Sequence, residues 1–149
     1  MFTDRLGNLL YISPLHPVNR HDGPLFEPAL RNMMAGLEER GIRVRAGTPI
    51  NLDAGFDSKA NRKACQDCQL QPNIKCNPRN SGQRAAAPNE AIYVQRYVNE
   101  RAFAWEDTYR RLVIRYEVYA RNHLAFTYMA AALTLLRLVT WKTSDKPKK

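Results

Sequence analysis

Acidic side chains are in short supply. Only 14 Asp and Glu stand against 23 Lys and Arg, which leaves a net charge of +9 and a pI near 9.8. Such a surface disfavours cationic partners and attracts polyanions, so nucleic acid or an anionic membrane is the first class of partner. The plain alternative is a solvated basic surface with no specific ligand. Cysteine is scarce as well, and its odd count of three excludes a fully paired disulfide framework. Met1 to Tyr11 lacks the basic start and uninterrupted apolar stretch of a secretory signal. Both features fit a reducing cytoplasm. His16, His21 and His123 show no nucleophile–base spacing, so nothing supports a hydrolase triad. Cys65-x-x-Cys68 with Cys76 has no fourth ligand nearby, and a structural zinc site normally shows two paired half-sites, so these read as ordinary thiols. No long apolar run spans a membrane: Leu124 to Val139 is short and tightly bounded by His123 and Arg137, which makes it a core helix and not an anchor.

What is present suits one domain with a core of its own, since 149 residues with 44% hydrophobic side chains suffice for that. Leu9 to Ser13 reads as a strand after the turn Asp4-Arg5-Leu6-Gly7-Asn8. Asp22 or Gly23 caps a helix that Pro24 starts; Leu25, Ala29, Met33 and Leu37 recur along it at helical spacing, and Gly41 ends it. Thr48 to Asp53 is the next strand, Asp57 or Ser58 caps a helix to about Cys68, and Pro72 to Asn77 is a third strand. Asn77 to Asn89, with Pro78, Gly82 and Pro88, is a long loop. Then come a helix from about Ala91 to Asp107, a basic link at Tyr109-Arg110-Arg111-Leu112, and a long helix from about Arg115 to Thr140. The middle of that last helix, Leu124 to Leu136, is apolar nearly all round, as in a helix buried on most sides. This order indicates an α/β domain, a mixed sheet with flanking helices. Residues 1–140 read as that domain and 141–149 as a disordered basic tail.

Two carboxylates stand out. Asp53 follows a strand, and the C-terminal ends of strands open into the crevice where α/β proteins bind ligands. Glu100 lies on the helix after the long loop. At 100° per residue Tyr93, Arg96, Glu100 and Asp107 fall on one face, while Val94, Val98 and Trp105 share another. Without further context Asp53 is a turn residue, and Arg96 with Glu100 an exposed ion pair worth a few tenths of a kcal/mol.

The order of these segments supplies that context. Asn19-Arg20-His21-Asp22, then Asp53-Ala54-Gly55-Phe56-Asp57-Ser58, then Tyr93-x-x-Arg96-x-x-x-Glu100, then Arg110-Arg111-Leu112-x-x-Arg115-Tyr116-Glu117 with the apolar helix resembles the C-terminal portion of the catalytic domain of bacterial insertion-sequence DDE transposases. The resemblance runs from about Asp4 to Val139. It implies a partial RNase H-like fold, binding of double-stranded DNA at transposon ends, and metal-dependent phosphodiester cleavage and strand transfer. It also implies Mg²⁺ (or Mn²⁺), because two hard cations about 4 Å apart activate the nucleophile and stabilise the leaving oxygen, and such ions take oxygen ligands.

By the same resemblance Asp53 and Glu100 are catalytic metal ligands. Tyr93 and Arg96 hold the DNA end, and Arg101, Arg110, Arg111 and Arg115 contact phosphate. The family's first catalytic aspartate has no counterpart here, and neither Asp4 nor Asp22 takes its place. Asp107 also departs from the pattern, since many relatives carry Lys at that position. The resemblance therefore implies a chain that is inactive in isolation and completed by an N-terminal half or a homodimer partner. The competing reading is a non-catalytic DNA-binding remnant or regulator derived from a transposase.

Overall fold

The computed structural model describes residues 1–17, 19–79 and 87–144; within the last helix, nothing is said of the side chains of residues 138 and 141–144. The elements in chain order are β1 (Phe2–Thr3), β2 (Leu9–Tyr11), α1 (Asp22–Glu39), β3 (Pro49–Leu52), α2 (Lys59–Asp67), β4 (Gln71–Ile74), α3 (Glu90–Tyr93), α4 (Tyr97–Glu106), α5 (Arg110–Val113) and α6 (Ala120–Ser144). Single 3₁₀ turns lie at Ala54–Phe56 and Val94–Arg96. The chain divides into two compact units. One is His16–Tyr97, and the other joins Met1–Leu15 to the chain from Val98 onward. The mixed α/β content agrees with expectation. Among the described residues the strands pair within each unit, β1–β2 antiparallel and β3–β4 parallel.

In the His16–Tyr97 unit, α1 buries Phe26, Leu30, Met33 and Leu37, a stripe of three- and four-residue steps. Its N-cap is His21, with no side-chain hydrogen bond, so neither Asp22 nor Gly23 has the capping role expected of it. Its end follows the left-handed geometry that glycine allows. Gly41 sits at φ +71°, its N–H reaches Glu38 O at 2.8 Å, and the Ile42 N–H reaches Leu37 O at 2.9 Å. Ser58 caps α2 by accepting from the Asn61 N–H at 3.1 Å. Leu52, Ala64, Cys65, Leu70 and Ile74 complete the core of this unit. Strands β3 and β4 pair in register from Pro49 opposite Gln71 to Leu52 opposite Ile74.

In the other unit, the β1–β2 hairpin turns through Asp4 to Asn8. The Asp4 carboxylate accepts from the N–H groups of Leu6 and Asn8, and Gly7 adopts φ +85°. β2 ends at Tyr11, earlier than expected, and Ile12 beyond it is buried. Helix α4 buries Val98 and Ala102, while Val94, expected beside Val98, is 66% exposed. The basic link forms one helical turn, α5, which packs on α6. The last helix differs from expectation in two ways. It starts at Ala120, because the Arg115 guanidinium donates to the carbonyls of Glu117 and Val118 and stabilises a non-helical link, and it continues to Ser144. It is also not buried on most sides. Thr127, Ala130 and Ala131 are buried, but Tyr128, Met129, Leu133 and Leu136 are exposed, since the elements of this unit cover one face of it. No helix among the described residues is long and apolar enough to cross a membrane.

Candidate functional site

Strand β3 delivers Asp53 to its C-terminal end, as the sequence pattern implies. There the carboxylate closes a local turn, Oδ1 accepting from the Ala54 N–H at 2.8 Å. Its side chain remains 59% exposed, and Oδ2 lies 3.4 Å from Arg96 Nη1. Arg96 also stands over the Tyr93 ring, 5.6 Å from its centre. The structure therefore brings three of the expected residues together within one unit.

A pair of strand asparagines ties the segment that carries Tyr93 and Arg96 to the strands. Asn51 and Asn73 are register partners, and Asn73 Nδ2 donates to Asn51 Oδ1 at 2.7 Å. Asn51 Nδ2 donates to Ile92 O at 2.9 Å, and Asn73 Oδ1 accepts from the Asn89 N–H at 2.7 Å. Ile92 O is the carbonyl that a continuous α-helix would offer to the Arg96 N–H. Asn51 thus ties the end of α3 to β3 just ahead of the 3₁₀ turn Val94–Arg96. The expected single helix from Ala91 to Asp107 is thus α3, that turn and α4 in succession. In a 3₁₀ turn residues three apart eclipse, which sets Arg96 directly over Tyr93.

An open cleft of about 440 Å³ is lined by His21, Asp22, Gly23, Asp53, Gly55 and Phe56. Sequence reasoning assigned no site role to His21 or Asp22, and none to Asn51 or Asn73. Asparagine in the middle of two strands was the available signal, since strands are depleted in it. Below the turn, Asp57 is buried, pairs with Arg62 at 2.8 Å and accepts from the Asn77 N–H at 2.8 Å. Burial would push its carboxyl up, but the Asn77 N–H and the Arg62 guanidinium hold it below the usual aspartate range.

Glu100 and Arg101 lie in the other unit, both exposed on α4. Arg101 braces the hairpin, Nη2 donating to Leu6 O at 2.7 Å. Arg110, Arg111 and Arg115 are exposed around α5 and the link that follows it. Arg111 Nη1 is 3.5 Å from Glu117 Oε1, and its guanidinium lies over the Phe126 ring at 5.2 Å. The oxygen donors suit a hard divalent cation, but their number falls short of a site. Among the described residues no three His, Cys, Asp or Glu side chains come together to hold a metal. The same holds for the thiols, with Cys65 buried and Cys76 exposed.

Comparison with known proteins supplies the relationship. The family model for the transposase DDE domain matches residues 2–135. A Burkholderia cepacia protein described as a transposase for insertion sequence element IS402 is 30% identical over 104 residues, which make up 70% of this chain and 44% of that relative. The match thus spans less than half of the relative's length. No solved structure matches the chain. On the family match and the relative together, the chain belongs to the DDE transposases of insertion sequences.

Proposed function

We propose that this chain is the C-terminal part of an RNase H-like catalytic domain, over residues 1–140 with a basic tail at 141–149, that binds double-stranded DNA at transposon ends. The observation that carries the reading is the Asp53–Arg96–Tyr93 group, which unites the strand-end acid with two residues of the Tyr93-x-x-Arg96-x-x-x-Glu100 signature. Asp53 and Glu100 are the two carboxylates this chain offers to Mg²⁺ or Mn²⁺, which would supply the activated nucleophile and the leaving-group charge stabilisation. Tyr93 and Arg96 hold the DNA end, and Arg110, Arg111 and Arg115 provide phosphate contacts, with Arg101 serving both hairpin and DNA. A segment outside this chain, from an N-terminal half or a second copy, supplies the third acid. The chain alone therefore binds DNA without cutting it. With the missing segment supplied, Asp53→Ala combined with Glu100→Ala should abolish Mg²⁺-dependent cleavage of a matching terminal repeat and leave DNA binding intact. Cleavage that survives the double change would refute the catalytic assignment.

A further inference from the structure

We propose that Glu117 is a positioning residue for DNA-backbone binding, holding the Arg111 guanidinium from inside the fold at a surface that takes phosphodiester groups. The inference rests on the reading of Arg111 as a phosphate contact and goes beyond it. Glu117 lies in the link between α5 and α6, with a side chain only 8% exposed, whereas that of Arg111 is 66% exposed. The carboxylate stands behind the guanidinium, and the Phe126 ring supports its face. Among the described residues, Nε and Nη2 of Arg111 make no hydrogen bond, so an edge suited to bidentate capture of phosphate stays available.

The geometry argues against a purely structural pair. Asp57, the buried acid of the other unit, is saturated: Arg62 at 2.8 Å and the Asn77 N–H at 2.8 Å. Glu117 is not. Its Oε2 is buried without a hydrogen-bond partner, 4.0 Å from His123 Nδ1, which also lacks one. A carboxylate desolvated this far and incompletely bonded costs stability. Orienting Arg111 before DNA arrives gives the placement a purpose, because less side-chain freedom is then lost on binding. Nearby arginines are held differently. Arg101 donates to Leu6 O, and Arg115 donates to the carbonyls of Glu117 and Val118, so part of each guanidinium is already committed to backbone.

The test uses the full chain, a short mixed-sequence DNA duplex and fluorescence anisotropy over a range of KCl concentrations. Arg111→Ala should weaken binding about tenfold and reduce the slope of log K against log salt by about 1. Glu117→Gln removes a negative charge, which by bulk electrostatics alone would tighten binding. The positioning role requires the opposite sign, a weakening of about threefold to tenfold, and none further in the Arg111→Ala background. Binding that is unchanged or tighter in Glu117→Gln, or effects that add in the double variant, would overturn the proposal while leaving Arg111 as a contact. Unchanged binding in Arg111→Ala would overturn the underlying reading too. If Glu117→Gln does not fold, Phe126→Leu removes the other support, and the same comparison against Arg111→Ala decides.

Discussion

Asp57 is the side chain on which the turn after Asp53 depends. It is buried, and it joins the start of α2, through Arg62, to the chain beyond β4, through Asn77. Removing one member of such a pair leaves the other charge uncompensated, so Asp57→Ala should lower folding stability by about 3 kcal/mol in urea unfolding at neutral pH. The pH dependence follows from the direction of its shift. A carboxyl held below its unfolded value contributes stability that is present above about pH 4 and is lost as pH falls further. Asp57→Asn should flatten the acid limb of the stability profile; an unchanged limb would assign it to other groups. Cys65 behaves in the opposite sense. Burial pushes its thiol up to about 12, so folding gains nothing from it at neutral pH, and stability declines as pH climbs past the unfolded thiol value of about 8.5. With a thiol-labelling reagent at pH 8, exposed Cys76 should react at once and Cys65 only at the rate of unfolding.

At the scale of elements, Gly7 links two of them. A methyl group there would stand 2.9 Å from Arg101 Nη2 and 3.2 Å from Val98 Cγ1, and the backbone is at φ +85°. Gly7→Ala should cost about 1–2 kcal/mol from backbone conformation alone. It should also release Arg101 from Leu6 O, visible as a lower midpoint in thermal unfolding. Elements governed by local chemistry were legible beforehand: the Asp4–Asn8 turn, the glycine end of α1, the Ser58 cap, and the strand that leads into Asp53. Where an element depends on a distant residue, local reading failed. Asn51, 41 residues away in sequence, anchors the chain at Ile92 O just before the Val94–Arg96 turn, and no periodicity within 91–107 reports that contact. The burial of α6 was misjudged for a related reason: an apolar helix records what it could bury, not how many neighbours its unit supplies.

For the molecule as a whole, sequence order identified the family, while the strand pairing within each unit is encoded by no single segment. The site was legible in part. Asp53, Arg96 and Tyr93 come together, whereas the asparagines that tie α3 to the strands and the His21–Asp22 wall of the cleft were not foreseen. Those asparagines have one more consequence. The segment between β4 and α3 is clamped at both ends, Asn77 by Asp57 and Asn89 by Asn73. The acid that precedes this connection and the arginine that follows it are therefore held through anchors at its two described ends. Asn73→Ala should leave the Asn89 N–H without its partner and lower stability by about 1–3 kcal/mol, checked by chemical denaturation. An unchanged midpoint would show that this clamp does not hold the connection. Each end of the connection thus has its own buried anchor, so one can be weakened without undoing the other.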